Sequence, residues 1–290
     1  VILRKKDASG ILQERLFLYV RKKRELLLHC TVFLVTAGQP AWADTACHSR
    51  QYDETTSVKY IHDGDTLHLR DGRKVRLIGI NTPEIAHDDR PAEPFSSEAK
   101  AALQSLFRNN KTISLIYGQQ KFDRYKRLLA HAFTSDGENV QAILLERGFA
   151  RTIAFPPNTR YSACYEQQER KARCNSVGLW KKTALLTTGD ISDNDIGFQL
   201  ITGKLRHISS NRKGIWLNID NRLTIGIRPD SQPLFDIEKL NKLSGKNIVV
   251  RGWLNKSKRQ TPYYMRIRDP SSIQPAETFS CSRNTARLNP

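Results

Sequence analysis

Four short stretches between residues 62 and 127 carry polar and charged side chains in an order that suits one kind of chemistry. They are His62-Asp63-Gly64-Asp65-Thr66, then Arg76, then Asn81-Thr82-Pro83-Glu84, then Asp123-Arg124-Tyr125-Lys126-Arg127. Hydrolysis of a phosphodiester needs a cation to neutralise phosphate oxygens, guanidinium groups to stabilise the five-coordinate transition state, and a base to orient or deprotonate water. The stretches offer each part. The Asp65 carboxylate, the Asn81 amide oxygen and the Thr82 carbonyl are hard oxygen donors that suit Ca²⁺, and the sequence has no His or Cys cluster of zinc spacing. Arg76 and Arg127 can each grip a phosphate through two N–H groups at once, which lysine cannot copy. Glu84 follows a turn held by Pro83, whose ring fixes its own φ and pushes Thr82 towards extended geometry, and it is placed to activate water.

Taken one by one these signals are weak, because a lone Asp-Gly-Asp is usually a turn and a lone surface Arg or Glu is usually solvated. Their joint order carries the specificity. Elsewhere the residues read more plainly: the seven histidines are scattered and form no HExxH pair, so they read as structural or solvated. Phe155 suits stacking on a base beside the site and suits core packing equally well.

The series HDGDT, RLIGINTPE and DRYKR, followed by Gly148-Phe149-Ala150 and by Gly178-Leu179-Trp180, resembles the staphylococcal nuclease (thermonuclease) family of secreted, calcium-dependent nucleases. The likeness runs over about residues 56–181. It implies an OB-type barrel with helices, Asp65 as a metal ligand, Arg76 and Arg127 as the phosphate-stabilising arginines, and Glu84 as the general base. It further implies that Arg124 and Tyr125 contact a neighbouring phosphate. Position 81 departs from the family pattern, which usually has aspartate there. Asparagine keeps the oxygen but removes a negative charge, so calcium should bind less tightly. That departure keeps a second reading open, in which the barrel is a non-catalytic nucleic-acid-binding module.

The elements that must position these residues can be read from periodicity. Strands are expected over 56–61, 65–70 and 74–80, with Asp71-Gly72 as a type I′ hairpin signal between the last two. Residues 97–108 carry apolar side chains at helical spacing, strands follow over 112–117 and 127–135, and helices over 140–147 and 160–173. Three strands, a helix and two strands suit a closed five-stranded OB-type barrel. Residues 183–195 are polar and aperiodic and read as a linker. Beyond it, strands over 201–208, 214–219 and 223–228, a short helix over 236–243, and strands over 247–254 and 263–267 repeat the order. The fold class is therefore mainly β with helices (α+β): a nuclease-like barrel over 44–182, then a second, smaller OB-like barrel over 196–276 and a tail over 277–290.

Charge divides the chain unevenly. Lys and Arg exceed Asp and Glu by 18 overall, which points to a polyanionic partner, either nucleic acid (DNA or RNA) or an anionic membrane surface. Residues 44–195 hold 22 basic and 20 acidic side chains, whereas 196–290 hold 17 and 6. In the second barrel Lys204, Arg206, Arg212, Lys213, Arg251, Lys256, Lys258, Arg259, Arg266 and Arg268 mix with Trp216, Trp253, Tyr263 and Tyr264, a composition that suits single strands. The expectation is that the second barrel holds the strand while the first cuts it, and that removing everything after about residue 185 spares the chemistry.

Near the amino end, Arg21-Lys22-Lys23-Arg24 precedes an apolar run from Leu26 to Gly38 and a small-x-small site at Ala41-Trp42-Ala43, the pattern of a secretory signal. Residues 1–43 are read as that signal, with Val20 as an alternative start and Asp44 as the first mature residue. The mature protein is then expected in a secreted or periplasmic location, free of the membrane and monomeric. Four cysteines remain after such a cleavage, as many as two disulfides use. Cys164 and Cys174 fall on one expected helix, about 15 Å apart along its axis, too far for a bridge. Each must pair elsewhere, and Cys47 with Cys164 is the first expectation.

Overall fold

The computed structural model describes residues 47–86, 91–181, 185–258 and 260–281. The expected signal over 1–43, the start at Asp44, Arg259 and the residues after Cys281 lie outside the described residues.

β1 (Glu54–Ile61), β2 (Thr66–Leu69) and β3 (Lys74–Leu77) form an antiparallel meander. A tight turn joins β2 to β3 as expected, but it is not type I′, which needs two left-handed residues: only Gly72, at φ 92°, is left-handed and Asp71 is not. β4 (Ile80–Asn81) and α1 (Ser96–Leu106) come next, then β5 (Thr112–Phe122) and β6 (Leu128–Phe133). β6 joins β3 in parallel and β5 pairs back onto β1, which closes a five-stranded barrel. Its core includes Val58, Leu67, Leu69, Val75, Leu77, Leu115 and Phe133, sealed by Leu103 and Phe107 at the end of α1. α2 (Val140–Glu146), whose first turn is capped by the Asn139 side chain, leads to β7 (Arg151–Thr152) and α3 (Ser162–Cys174).

One expected strand is cut in two. Apolar residues run on from Leu77 to Ile80, but Gly79 takes φ 84° and lies so close to the Tyr165 ring that a Cβ there would meet it at 2.6 Å. The chain turns at that point, and Ile80–Asn81 leaves the barrel to pair with β7. A run of apolar residues carries no mark of this, since the break depends on a tyrosine 86 positions away.

The expected linker is largely structured. β8 (Leu185–Thr187) pairs in parallel with β9 (Gly197–Asn211), and Arg222 donates to the carbonyls of Thr188 (2.9 Å) and Ile191 (3.2 Å). A three-residue strand is too short to show periodicity, so polarity dominates its reading. β9, β10 (Gly214–Ile219), β11 (Leu223–Ile227), β12 (Asn247–Lys256) and β13 (Tyr263–Ile267) make a second closed barrel. β11 and β13 run parallel and β12 closes on β9, the same strand logic as in the first barrel. α4 (Ile237–Asn241) is capped by Asp236, which accepts from the Lys239 N–H at 3.1 Å.

The start of the expected tail is structured. β14 (Ile273–Pro275) adds to β12, and α5 (Ala276–Phe279) returns to the first barrel, where Phe279 packs with Ala172, Trp180, Phe198, Leu200 and Val249. Disulfides join Cys47 to Cys164 and Cys174 to Cys281. Between the barrels, Arg251 of β12 is buried against Glu169 of α3 at 2.8 Å, and it also donates to the Thr152 carbonyl (3.3 Å) and hydroxyl. Arg251 is therefore a structural cation and no part of a strand-binding surface. Cutting the chain after residue 185 would remove both that partner and the β12 strand beside Glu169, leaving the glutamate with Arg173 and the Thr152 donors. Arg251→Ala should lower the unfolding free energy by about 3 kcal/mol, the low end for breaking a buried pair because Glu169 keeps Arg173 at 3.7 Å and two donors from Thr152, as read from denaturant unfolding.

Acid should act on the first barrel through His131. Burial, with the nearby Arg160 charge, pushes this imidazole down to about 3, and its Nδ1 lies 2.8 Å from the Tyr165 hydroxyl. The unfolded chain takes up the same proton near the ordinary value of 6.5. The neutral ring's contribution is thus fully present above pH 6.5 and is lost as pH falls towards about 3. His131→Gln should flatten the fall in melting temperature over that window.

Candidate active site

Strand register does much of the placement. Thr66 of β2 lies opposite Arg76 of β3, and Arg76 lies opposite Leu129 of β6. The loop before β2 and the turn before β6 therefore meet around the end of β3. Asp65 is buried at their junction: one carboxylate oxygen takes the Arg76 guanidinium at 2.9 Å and the Thr82 N–H at 3.0 Å, and the other accepts from the Thr66 hydroxyl at 3.1 Å. The Thr66 hydroxyl is in turn 3.5 Å from Arg127 Nη1. A continuous set of contacts thus runs from Arg127 through Thr66 and Asp65 to Arg76 and Thr82, and it unites all four stretches singled out in the sequence.

Each arginine is aimed by a carboxylate. Asp123 opens the turn before β6, where one oxygen accepts the N–H groups of Tyr125 and Arg127 (both 2.9 Å) and the other takes Arg127 Nε at 2.7 Å. Burial pushes the Asp123 carboxyl up, but these bonds outweigh it and hold the group below its usual range. Lys126 completes the turn in a left-handed conformation, φ 61°. Arg124 and Arg127 then flank the exposed Tyr125 ring, at 4.6 and 5.5 Å from its centroid.

Asp63 is a site residue to which the sequence assigns no role. It is buried beside Asp65, and one of its oxygens accepts the N–H groups of Asp65 (2.9 Å) and Thr66 (2.7 Å). Burial and the Asp65 charge push its carboxyl above the ordinary range, while Arg76 pulls the other way. The doubled Asp around Gly64 is the available signal. A Cβ at Gly64 would come within 2.8 Å of Thr82 and Ala99, so the loop can pack here only with glycine.

The Asn81-Thr82-Pro83 turn is buried, and Glu84 emerges from it at the surface. Desolvation pushes the Glu84 carboxyl up, helped by Asp65 and Asp63 and opposed by Arg76. Its backbone is tied to Glu93 on both sides, accepting from Glu93 N–H at 2.9 Å and donating to the Glu93 carboxylate at 3.3 Å. Asn81 turns its amide N–H towards the Thr82 carbonyl at 3.5 Å. Among the described residues no group of three or more His, Cys, Asp or Glu is arranged to hold a metal ion. The oxygens of Asp65, Asn81 and Thr82, with the buried Asp63 charge behind them, still form a donor set that fits a hard cation better than a soft one.

A closed OB-type barrel whose loops gather two buried carboxylates and two aimed arginines defines a class of protein suited to meeting phosphate. The family model for staphylococcal nuclease homologues matches residues 74–182 of this chain. A thermonuclease of Staphylococcus intermedius is 32% identical over 132 residues, covering 44% of this chain and 77% of that protein. A thermonuclease of Staphylococcus hyicus is 31% identical over 135 residues, with 46% and 79% covered. The endonuclease YncB of Bacillus subtilis is 30% identical over 129 residues, with 43% and 61% covered. The chain belongs to the staphylococcal nuclease family. The family match ends before β8, so the second barrel is an addition to the family domain.

Proposed function

We propose that the protein is a nuclease that hydrolyses phosphodiester bonds of DNA or RNA with calcium as cofactor, acting as a monomer after export to a secreted or periplasmic location. The observation that carries the nuclease reading is the contact chain from Arg127 to Thr82 through Asp65, since neither arginine nor Glu84 serves the core. The names of the relatives, thermonuclease and endonuclease, agree with it. No helix among the described residues is long and apolar enough to cross a membrane.

Asp65, the Thr82 carbonyl and the Asn81 amide oxygen, after a half-turn of that amide, would hold the cation. When bound, calcium supplies charge neutralisation at the phosphate oxygens. The rest falls to the chain. Arg76 is held on Asp65 and Arg127 on Asp123, and each guanidinium keeps further N–H donors for the equatorial oxygens of the transition state. Glu84 takes the proton of the attacking water, and its raised pKa brings its basicity nearer to that task. Phosphate contacts carry little base information, so DNA and RNA fit this site alike.

Asn81 favours one rival reading, a barrel that binds nucleic acid without cutting it. Purified protein incubated with labelled single-stranded DNA, duplex DNA and RNA, in calcium or in chelator, separates the two. Cleavage in calcium alone is expected, with Arg127→Ala and Glu84→Gln each lowering turnover at least about tenfold while the fold survives. Binding without cleavage under every condition would favour the rival, and normal turnover in folded variants would remove these residues from the site.

The charge at position 81 gives a separate measurement. Asn81→Asp should lower the calcium concentration needed for half-maximal activity, because it restores a ligand charge. An unchanged or raised requirement would place Asn81 away from the metal.

A further inference from the structure

Several of the basic groups on the second barrel are already engaged. Arg251 is buried, Arg206 pairs with Asp220 at 3.0 Å, Lys256 with Asp193 at 2.6 Å, and Arg266 with Asp230 at 2.7 Å. Tyr263 is buried as well. Arg268 is different. Among the described residues it takes part in no ion pair, and its guanidinium lies 5.3 Å from the centroid of the Phe155 ring, which belongs to the first barrel.

Phe155 in turn stacks on Trp253 of β12, with centroids 5.7 Å apart and planes 21° from parallel. Trp253 rests edge-on against the buried Phe198 at 5.1 Å, so it is fixed from behind. An aromatic pair that merely sealed the barrels together would be covered. This pair is not: Phe155 is 40% exposed and Trp253 39%. The seal lies elsewhere, in the buried cluster of Phe198, Leu200, Val249 and Phe279.

We propose that a single nucleic-acid strand passes from the catalytic barrel onto a ledge shared by both barrels, with its bases against Phe155 and Trp253 and its phosphates against Arg268 and Arg124. The proposal rests on the nucleic-acid reading of the site and adds to it the direction of the strand and the residues that hold it. Two features select this occupant. Base faces are open to stacking only in a single strand, and stacked bases tolerate any sequence. The ledge also gathers positive charge that the protein neutralises only in part: the Arg268 guanidinium is pushed down by burial and by Arg266, Asp230 and Tyr264 oppose that shift, and Arg124 of the catalytic turn adds to it. A polyanion laid there would relieve that repulsion. The ledge repeats the pattern at Tyr125, an exposed ring flanked by arginines, one step nearer the site.

The test measures binding of fluorescent oligothymidylates of about 4 and 12 nucleotides to the whole protein in chelator, where nothing is cut, over a range of salt. Site sizes of OB-type barrels make the longer strand reach both barrels. The longer strand should bind more tightly. Trp253→Leu should lose at least about fivefold on the longer strand with an unchanged salt slope, since it removes a stacking face and no charge. Arg268→Gln should lose affinity for the longer strand and reduce the slope by about 0.7, one phosphate contact on a single strand. Thermal melts check that both variants are folded, and if Trp253→Leu is not, the slope of Arg268→Gln decides alone. Longer-strand affinity and slope that stay unchanged in the folded variants overturn the ledge and leave the nuclease reading intact. Failure of the unaltered protein to bind either length overturns the ledge, and cleavage of the same oligonucleotides once calcium is supplied then decides the nuclease reading separately. Competition by polyglutamate as strong as by the oligonucleotide, charge for charge, would remove the bases from the proposal.

Discussion

The Asp65 carboxylate is almost withdrawn from water, and a buried charge persists only where its oxygens are met by donors. Three different segments meet them: the Arg76 side chain from β3, the Thr82 N–H from the turn after β4, and the Thr66 hydroxyl at the start of β2. None of these can move without uncovering the charge. The turn that presents Asn81 and Glu84 is therefore fixed to the same atom that fixes Arg76, and the Asp123 turn joins the set through Thr66 and Arg127. Local backbone supports the arrangement. Gly79 makes the left-handed bend that carries Asn81 out of the barrel, and Gly64 lets the Asp63-to-Asp65 loop close down on Thr82.

How much of this is legible in the sequence depends on how far each signal reaches. Hairpins, capped helices and alternating strands depend on neighbours a few positions away, so Asp71-Gly72, the Asp236 cap and the strand from Tyr263 to Ile267 are legible directly. The five-stranded order of both barrels comes from them. The residues of the site are legible as a set because their chemistry is unusual for a surface and their order matches a known family. Whatever depends on a distant partner escapes: Gly79 against Tyr165, Arg251 against Glu169, Phe279 against Ala172 and Trp180. In one dimension Arg251 is one more basic residue in a basic domain. Only in the fold does it become the counter-ion of a buried glutamate. Asp63 is hidden for a related reason, because burial, and not identity, makes the second aspartate of that loop matter.

The two barrels share a strand order but divide their duties by electrostatics. In the first, carboxylates and arginines are interleaved closely, which gives directional contacts at one phosphate and little long-range pull. The second carries most of the excess positive charge, yet several of its basic groups are engaged internally, so the total overstates what a partner would meet. Position matters more than number: a cation such as Arg268, set over an aromatic ring beside the catalytic turn, counts for more than one in a closed ion pair.

The pairing of the cysteines has a mechanical meaning. Cys47 and Cys281, the first and last residues described, are both sewn to α3, one near each end of the helix. A pull applied at those two residues travels by the shortest covalent route, which enters α3 at Cys164 and leaves it at Cys174. Both barrels hang from that route as closed loops and carry none of the tension. One helix, about 15 Å between its two anchor points, is the tie-bar of the molecule, and a single break in the backbone of either barrel would leave the pieces attached to it.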